Sequence, residues 1–214
     1  MAAATGRAMP DSVQQLAAEL SRRCAADAPR YLLGIVGPPG SGKSTLATRL
    51  VEACPSAACV SMDGFHLSNA ALDAAGMRGR KGAPETFDAE GFVSVLRRLR
   101  GGNEPVTVPI YDRRLHEPVR EALTIQRQVR VVVVEGNYLL LGDGAWRGVR
   151  PLLDEAWYLD VPLDESLRRT RGRHIAGGAT AQQADAKIAA NDRPNALAIA
   201  ATRPGADRVV ALAE

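Results

Sequence analysis

Apolar residues recur along the chain in short blocks, separated by stretches with helical spacing, and this alternation predicts an α/β sheet. From Asp11 to Ala26, the residues Val13, Leu16, Ala17, Leu20 and Cys24 share one helical face. Ser12 with Gln15 offers a capping box, so a leading amphipathic helix is expected. Tyr31 to Val36 is a short apolar run ending at a Gly/Pro cluster, and Lys43 to Ala53 has helix-compatible composition, which reads as strand, tight loop, helix. Ala57 to Ser61 repeats the strand signal, Asp88 to Arg100 reads as a helix, and Arg130 to Val134 is a β-branched run suited to burial on both faces. A helix around Trp146 to Leu153, a strand at Ala156 to Leu159, helices at Asp164 to Arg173 and Ala181 to Ala190, and a strand at Arg208 to Leu212 complete the series. Five strands joined by helical crossovers form a mainly parallel sheet with helices on both faces, a three-layer sandwich.

Two stretches break the pattern. Between Pro105 and Thr124 it weakens into Pro-interrupted β-like pieces, read as a small antiparallel excursion or loop pair above the sheet. Gly76 to Phe87 holds four glycines or prolines with several charges and reads as a surface loop, a frequent carrier of function. The sequence leaves open whether the leading helix packs within its own subunit or across a homodimer. The division expected is a helical appendage over 1–28 and one domain over 29–214, in keeping with a length of 214 residues.

The chain is 46% apolar and 24% charged, which excludes a disordered chain or a fibre. Its formal charge of +3 comes without a long basic run, so no nucleic-acid partner is expected. Arginines are spread along the whole chain and signal little singly. Cys24, Cys54 and Cys59 lack metal-ligand spacing and leave an odd thiol, which fits a reducing, cytoplasmic setting. No secretory h-region is visible, and no apolar run approaches the roughly 20 residues that span a bilayer, so no membrane partner is expected.

Gly37-Pro38-Pro39-Gly40-Ser41-Gly42-Lys43-Ser44-Thr45 satisfies G-x-x-x-x-G-K-[ST] between an apolar strand and a helix start. Glycines let backbone N–H groups turn toward phosphate oxygens, and the helix N-terminus adds partial positive charge there. The expected binding set is Gly37, Gly40, Ser41, Gly42, Lys43, Ser44 and Thr45, with Lys43 reaching the β- and γ-phosphates and Ser44 ligating Mg²⁺. No Asn-Lys-x-Asp element follows: the other lysines are Lys81 and Lys187, each followed by residues other than x-Asp. ATP is therefore the expected nucleotide.

Two acids stand at strand ends. Glu135 follows Val131 to Val134 and precedes Gly136, placing a carboxylate at the edge where open parallel sheets bind ligands, able to hold Mg²⁺ or the acceptor. Asp63 follows Ala57 to Ser61 and could take a proton from a substrate hydroxyl. Leu167 to His174 carries four arginines in six positions. Arg169 and Arg173, four apart on a helix, share a face and could meet the β- and γ-phosphates. Gly177 and Gly178 supply a hinge for a lid over about 168–185. Asn191 to Asn195 reads as a helix-stop turn.

Taken in order, GPPGSGKST, SMDGFHL, KGAPETFD, VPIYD and EGNYLL resemble the uridine kinase, phosphoribulokinase and bacterial pantothenate kinase family, over most of the chain from Tyr31 onward. The resemblance implies a P-loop NTPase fold and phosphoryl transfer from ATP to a hydroxyl of a small metabolite such as a sugar like fructose, a nucleoside or pantothenate. It implies Asp63 as the base, Glu135 beside Mg²⁺ or the acceptor, an arginine lid, and acceptor contacts from His66, Tyr111 and His116. An ATP-binding regulatory module and a nucleic-acid-dependent ATPase are the rival classes.

Overall fold

The structure is a computed structural model that describes residues 12–23, 29–102 and 104–212. Five of its strands, β1 (Tyr31–Val36), β2 (Ala57–Ser61), β5 (Val131–Gly136), β6 (Glu155–Leu159) and β7 (Arg208–Val210), build one sheet in the order β2-β5-β1-β6-β7. Every pairing in that sheet is parallel. The other two, β3 (Val106–Asp112) and β4 (Glu117–Ile125), form an antiparallel pair, the first of the two forms that the pattern left open there. Its register shifts between Val108 and Ile110, at Pro109, which has no N–H to give to the ladder.

Burial on both sheet faces explains the unbroken valine run. Val132 and Val134 pack with Leu32, Val60, Phe92 and Leu96, the last two from α4 (Ala89–Gly101). Val131 and Val133 pack on the other face with Leu33, Ile35, Leu46 and Leu50, the last two from α2 (Lys43–Ala53). The first helix, α1 (Val13–Ser21), starts at a complete capping box between Ser12 and Gln15. Its Leu16, Ala17 and Leu20 enter the same core as Leu46, Ala47 and Leu50, and Glu19 pairs with Arg208 at 2.6 Å. It therefore packs within its own subunit and shares the core of the residues beyond 29. The remaining positions of the expected helix, 11 and 24–26, lie outside the described residues, Cys24 among them.

Four segments depart from the pattern. Residues 144–152 form two 3₁₀ turns in place of a helix, interrupted by Gly148 and Pro151, and bury Trp146. Gly76 to Phe87 is anchored: Ala83, Thr86 and Phe87 are buried, and 3₁₀ turns cover Arg78–Arg80 and Pro84–Thr86. A short helix, α3 (Asn69–Ala74), capped by the Ser68 side chain, precedes it. Asn191 to Asn195 is no stop. After α5 (Leu163–Ala176) and α6 (Ala181–Lys187), the helix widens into a π turn over Ile188–Asp192 and continues as α7 (Arg193–Ala201). Pro194 lacks the N–H that would continue the ladder to the preceding turn, and the helix passes it by widening, with the Arg193 N–H donating to the Ile188 carbonyl five residues back. No helix of the described residues is long and apolar enough to cross a membrane.

Candidate active site

The loop between β1 and α2 closes over backbone geometry that glycine supplies. Gly40 and Gly42 adopt φ +83° and +96°, and Gly42 is the N-cap of α2. A Cβ at Gly40 would run into the Ser166 carbonyl and lie 2.9 Å from Thr170 Oγ1, both on α5. The first N–H groups of α2 have no intrahelical acceptor and face the loop end. Ser41 Oγ is buried without a hydrogen-bond partner among the described residues. A buried hydroxyl left unpaired beside unclaimed helix N–H groups is the chemistry that fits a polyanion, so the loop suits the phosphates that its sequence implies.

Lys43 opens α2, is buried, and donates to the Pro38 carbonyl at 3.0 Å. Burial pushes its ammonium down to about 8, against the opposing attraction of Glu135 and Asp63, and Arg173 adds repulsion. Glu135 is the next-to-last residue of β5, in register with Ile35 of β1 and Ser61 of β2. Its carboxylate accepts from the Ser61 hydroxyl, and the Ser44 hydroxyl lies near enough to favour its charged form. Burial raises its pKa and Asp63 raises it further, while Lys43 and the two hydroxyls oppose the shift. The pairing of Ser44 with Glu135 gives one hydroxyl and one carboxylate at the phosphate loop. That is a donor set for Mg²⁺, which binds through few protein oxygens and keeps its waters.

Asp63 lies in the 3₁₀ turn Met62–Phe65 after β2, whose start is capped by Ser61 Oγ. Its carboxylate faces Arg113 Nη2 at 3.8 Å and acts electrostatically on Lys43, Glu135 and Arg173. His66 Nδ1 lies 2.8 Å from the Asp63 carbonyl, an acceptor only, so Nδ1 carries the proton and Nε2 is left to accept. Burial lowers the His66 pKa and favours this neutral imidazole. Its ring lies 3.9 Å from Phe87 and 4.9 Å from Tyr111.

The expected residues thus meet unequally. Lys43, Ser44, Glu135, Asp63 and Arg173 act on one another, and His66 and Tyr111 adjoin them. Arg173 is exposed to solvent and donates to Thr170 Oγ1 at 3.2 Å, and the partial desolvation of its guanidinium lowers its pKa. Arg169 sits beside Gly40 but spends its guanidinium on Glu165 at 2.6 Å. His116 enters through its backbone: its carbonyl accepts from Asn69 and Lys81, and its side chain is exposed. Thr45 is exposed in the first turn of α2. Sequence reasoning passed over Arg113, quoted Lys81 and Tyr138 within motifs without a role of their own, and set Asn191 aside within a helix-stop turn. Arg113 was hidden by a background of 27 Lys and Arg, all but three of them Arg. Tyr138 stands in the quoted Glu-Gly-Asn-Tyr string, and its hydroxyl donates to the Gly82 carbonyl at 2.6 Å.

A family model described as an AAA domain matches residues 32–194. The chain is 37% identical over 191 residues to the uncharacterized protein YggC of Escherichia coli K12, spanning 86% of this chain and 79% of that one. It is 34% identical over 179 residues to C227.14 of Schizosaccharomyces pombe, which carries a provisional uridine kinase name, spanning 78% and 76%. A crystal structure from Silicibacter sp. TM1040, described provisionally as a fructose transport system kinase, superposes with a TM-score of 0.85 at 37% identity, covering 93% of this chain and 98% of that one. Phosphate loop, strand-end acids and these likenesses converge: the chain belongs to the AAA-domain family of P-loop proteins, within its group of uridine kinase-like and pantothenate kinase-like members.

Proposed function

We propose that the chain is an ATP- and Mg²⁺-dependent kinase that transfers a phosphoryl group to a hydroxyl of a small metabolite. The observation that carries this reading is the buried Lys43 ammonium lying in the field of two carboxylates, Glu135 and Asp63, at the head of α2. A phosphate loop used only for binding needs no second acid on its acceptor side. Backbone N–H groups of Gly40 to Thr45 and Lys43 hold the donor phosphates. Ser44 and Glu135 would hold the metal, which when bound neutralises charge between the phosphates. Asp63 receives the proton of the attacking hydroxyl, and Arg173, on which the Asp63 charge acts, meets charge that develops on the transferring group. His66 Nε2 accepts a further hydroxyl of the acceptor. Arg169, freed from Glu165, joins Arg173 when the lid over about 168–185 closes.

The acceptor class follows from what the relatives' names share. Fructose, uridine and pantothenate each present a primary hydroxyl, and the residues around Asp63 serve any of them. The test is ADP release from the purified chain with MgATP, against a panel of sugars, nucleosides and pantothenate. Acceptor-dependent turnover on at least one compound is the expected result. ATP binding with no acceptor-dependent turnover across the panel would overturn the reading in favour of an ATP-binding regulatory module, and stimulation by polynucleotide alone would point to an ATPase.

A further inference from the structure

The string Lys81-Gly82-Ala83-Pro84-Glu85-Thr86-Phe87-Asp88 takes no part in the chemistry above, yet its first two residues are held from several sides. The Lys81 carbonyl accepts from Asn191 Nδ2 of the π turn at 3.2 Å. The Gly82 carbonyl accepts from the Tyr138 hydroxyl at 2.6 Å, and the Gly82 N–H donates to Thr86 Oγ1 at 3.0 Å. A lysine on a free loop loses much conformational freedom whenever it makes a contact. Here the backbone is already fixed, so the side chain works from a rigid base.

The Lys81 ammonium donates to Asn69 Oδ1 and to the His116 carbonyl, both at 2.7 Å, and lies 5.2 Å from the centre of the Tyr111 ring. Two of its three N–H groups are spent on oxygens, and its charge faces an aromatic ring. A lysine so engaged is poorly placed to bind a phosphate. What it joins is specific: Asn69 opens α3, and His116 sits in the β3–β4 turn with a left-handed backbone at φ 52°. Asn69 completes the junction, giving Nδ2 to the same His116 carbonyl at 3.1 Å and its N–H to the Glu117 carboxylate at 2.9 and 3.1 Å. Burial lowers the Lys81 pKa, and Glu117 opposes that by favouring the charged form.

We propose that Lys81 is a positioning residue that docks the β3–β4 turn onto α3 and thereby fixes Tyr111 and Arg113 on the acceptor side of Asp63. Tyr111 and Arg113 lie in or just beyond β3, before the docked turn ends, and they are the hairpin residues that reach His66 and Asp63. Loss of the ammonium frees the turn and blurs the acceptor site while leaving the phosphate loop untouched. The acceptor readout rests on the kinase reading; the docking itself does not.

The experiment compares Lys81→Met, Lys81→Arg and Asn69→Ala with the wild-type chain. With an acceptor from the panel, Lys81→Met raises the acceptor KM about tenfold, the scale of one charge-assisted hydrogen bond, and changes kcat and the ATP KM far less. Lys81→Arg, which keeps the charge, restores part of the loss. Asn69→Ala removes one acceptor from the far side of the junction and reproduces a weaker version of the effect. Amide hydrogen exchange, read without any turnover, becomes faster over 106–125 in Lys81→Met and stays as in the wild type over 37–45. Wild-type exchange in the hairpin, an unchanged acceptor KM, or an ATP KM that rises as far as the acceptor KM each overturns the proposal. Should no acceptor be turned over even by the wild type, the kinase reading fails alone, and the exchange comparison still decides the docking.

Discussion

The two halves of the site are built by different means. On the proposed reading the donor half is nearly continuous in sequence: Gly37 to Thr45 supply the loop, the helix start, the lysine and the metal-side hydroxyl, while Glu135 and the arginines of α5 come from elsewhere. The acceptor half is gathered from separate segments, with Asp63 and His66 after β2, Asn69 on α3, Lys81 before a 3₁₀ turn, and Tyr111 and Arg113 around the end of β3. The first depends on backbone conformation, which glycine spacing dictates locally. The second depends on side chains that meet through long-range hydrogen bonds, so its shape can change without touching the loop. One framework can thus keep its donor chemistry while its acceptor wall varies.

The sharpest way to break this comparison is Asp63→Asn, which removes a proton acceptor without changing size. Turnover should fall by roughly a hundredfold to ten-thousandfold, the usual worth of a general base, with ATP affinity by calorimetry unchanged. Full activity would remove Asp63 from the chemistry, and a matching loss of ATP affinity would show that the two halves are not separable. Glu135→Gln comes next. The amide oxygen can still accept from Ser61, so the fold survives, but the charge facing Ser44 is gone. The Mg²⁺ concentration giving half-maximal turnover should rise by about ten- to a hundredfold. An unchanged midpoint would move Glu135 from the metal to the acceptor.

Gly40→Ala probes the donor half through its backbone alone. The φ of +83° is unfavourable for alanine, and the new methyl group meets Ser166 and Thr170 of α5. Thermal unfolding should report a loss of about 1–3 kcal/mol, the scale of a strained backbone position, together with weaker ATP binding. A melting temperature equal to that of the wild type would mean that α5 yields to the loop and that the close approach is soft.

The same division governs what could be read in advance. The sheet, its five strands and the loop were legible because each rests on local pattern: a valine run buried on both faces, a capping box at Ser12, glycines before Lys43. The nearness of Asp63 to Glu135 was legible because one acid lies near the end of β5 and the other just past β2, at the same edge of one parallel sheet. Residues 144–152 misled because apolar spacing cannot reveal that Gly148 and Pro151 favour tight turns. Asn191 to Asn195 misled because Pro194 reads as a breaker, and no local rule shows that the helix can pass it by widening into a π turn. Lys81, Arg113 and Asn191 stayed hidden because their meaning lies in partners far along the chain. No local rule points from Lys81 to the carbonyl of His116.

Asn191→Ala gives the smallest expected effect and tests the seam between the halves. Asn191 is buried in the π turn, donates to the Lys81 carbonyl at 3.2 Å and accepts from Asn195 Nδ2 at 3.3 Å. The neighbouring Asp192 pairs with His174 at 2.8 Å, one residue beyond Arg173. The π turn therefore touches the acceptor loop on one side and the arginine helix on the other. Alanine removes the donor and leaves the Lys81 carbonyl without its partner, a loss of about 1 kcal/mol for one neutral hydrogen bond. Hydrogen exchange should quicken over 81–87 and stay unchanged over 37–45 if the seam serves the acceptor half alone. Faster exchange in both stretches would mean that the π turn couples the phosphate loop to the acceptor wall, and the separation of the two halves would then hold in sequence but not in energy.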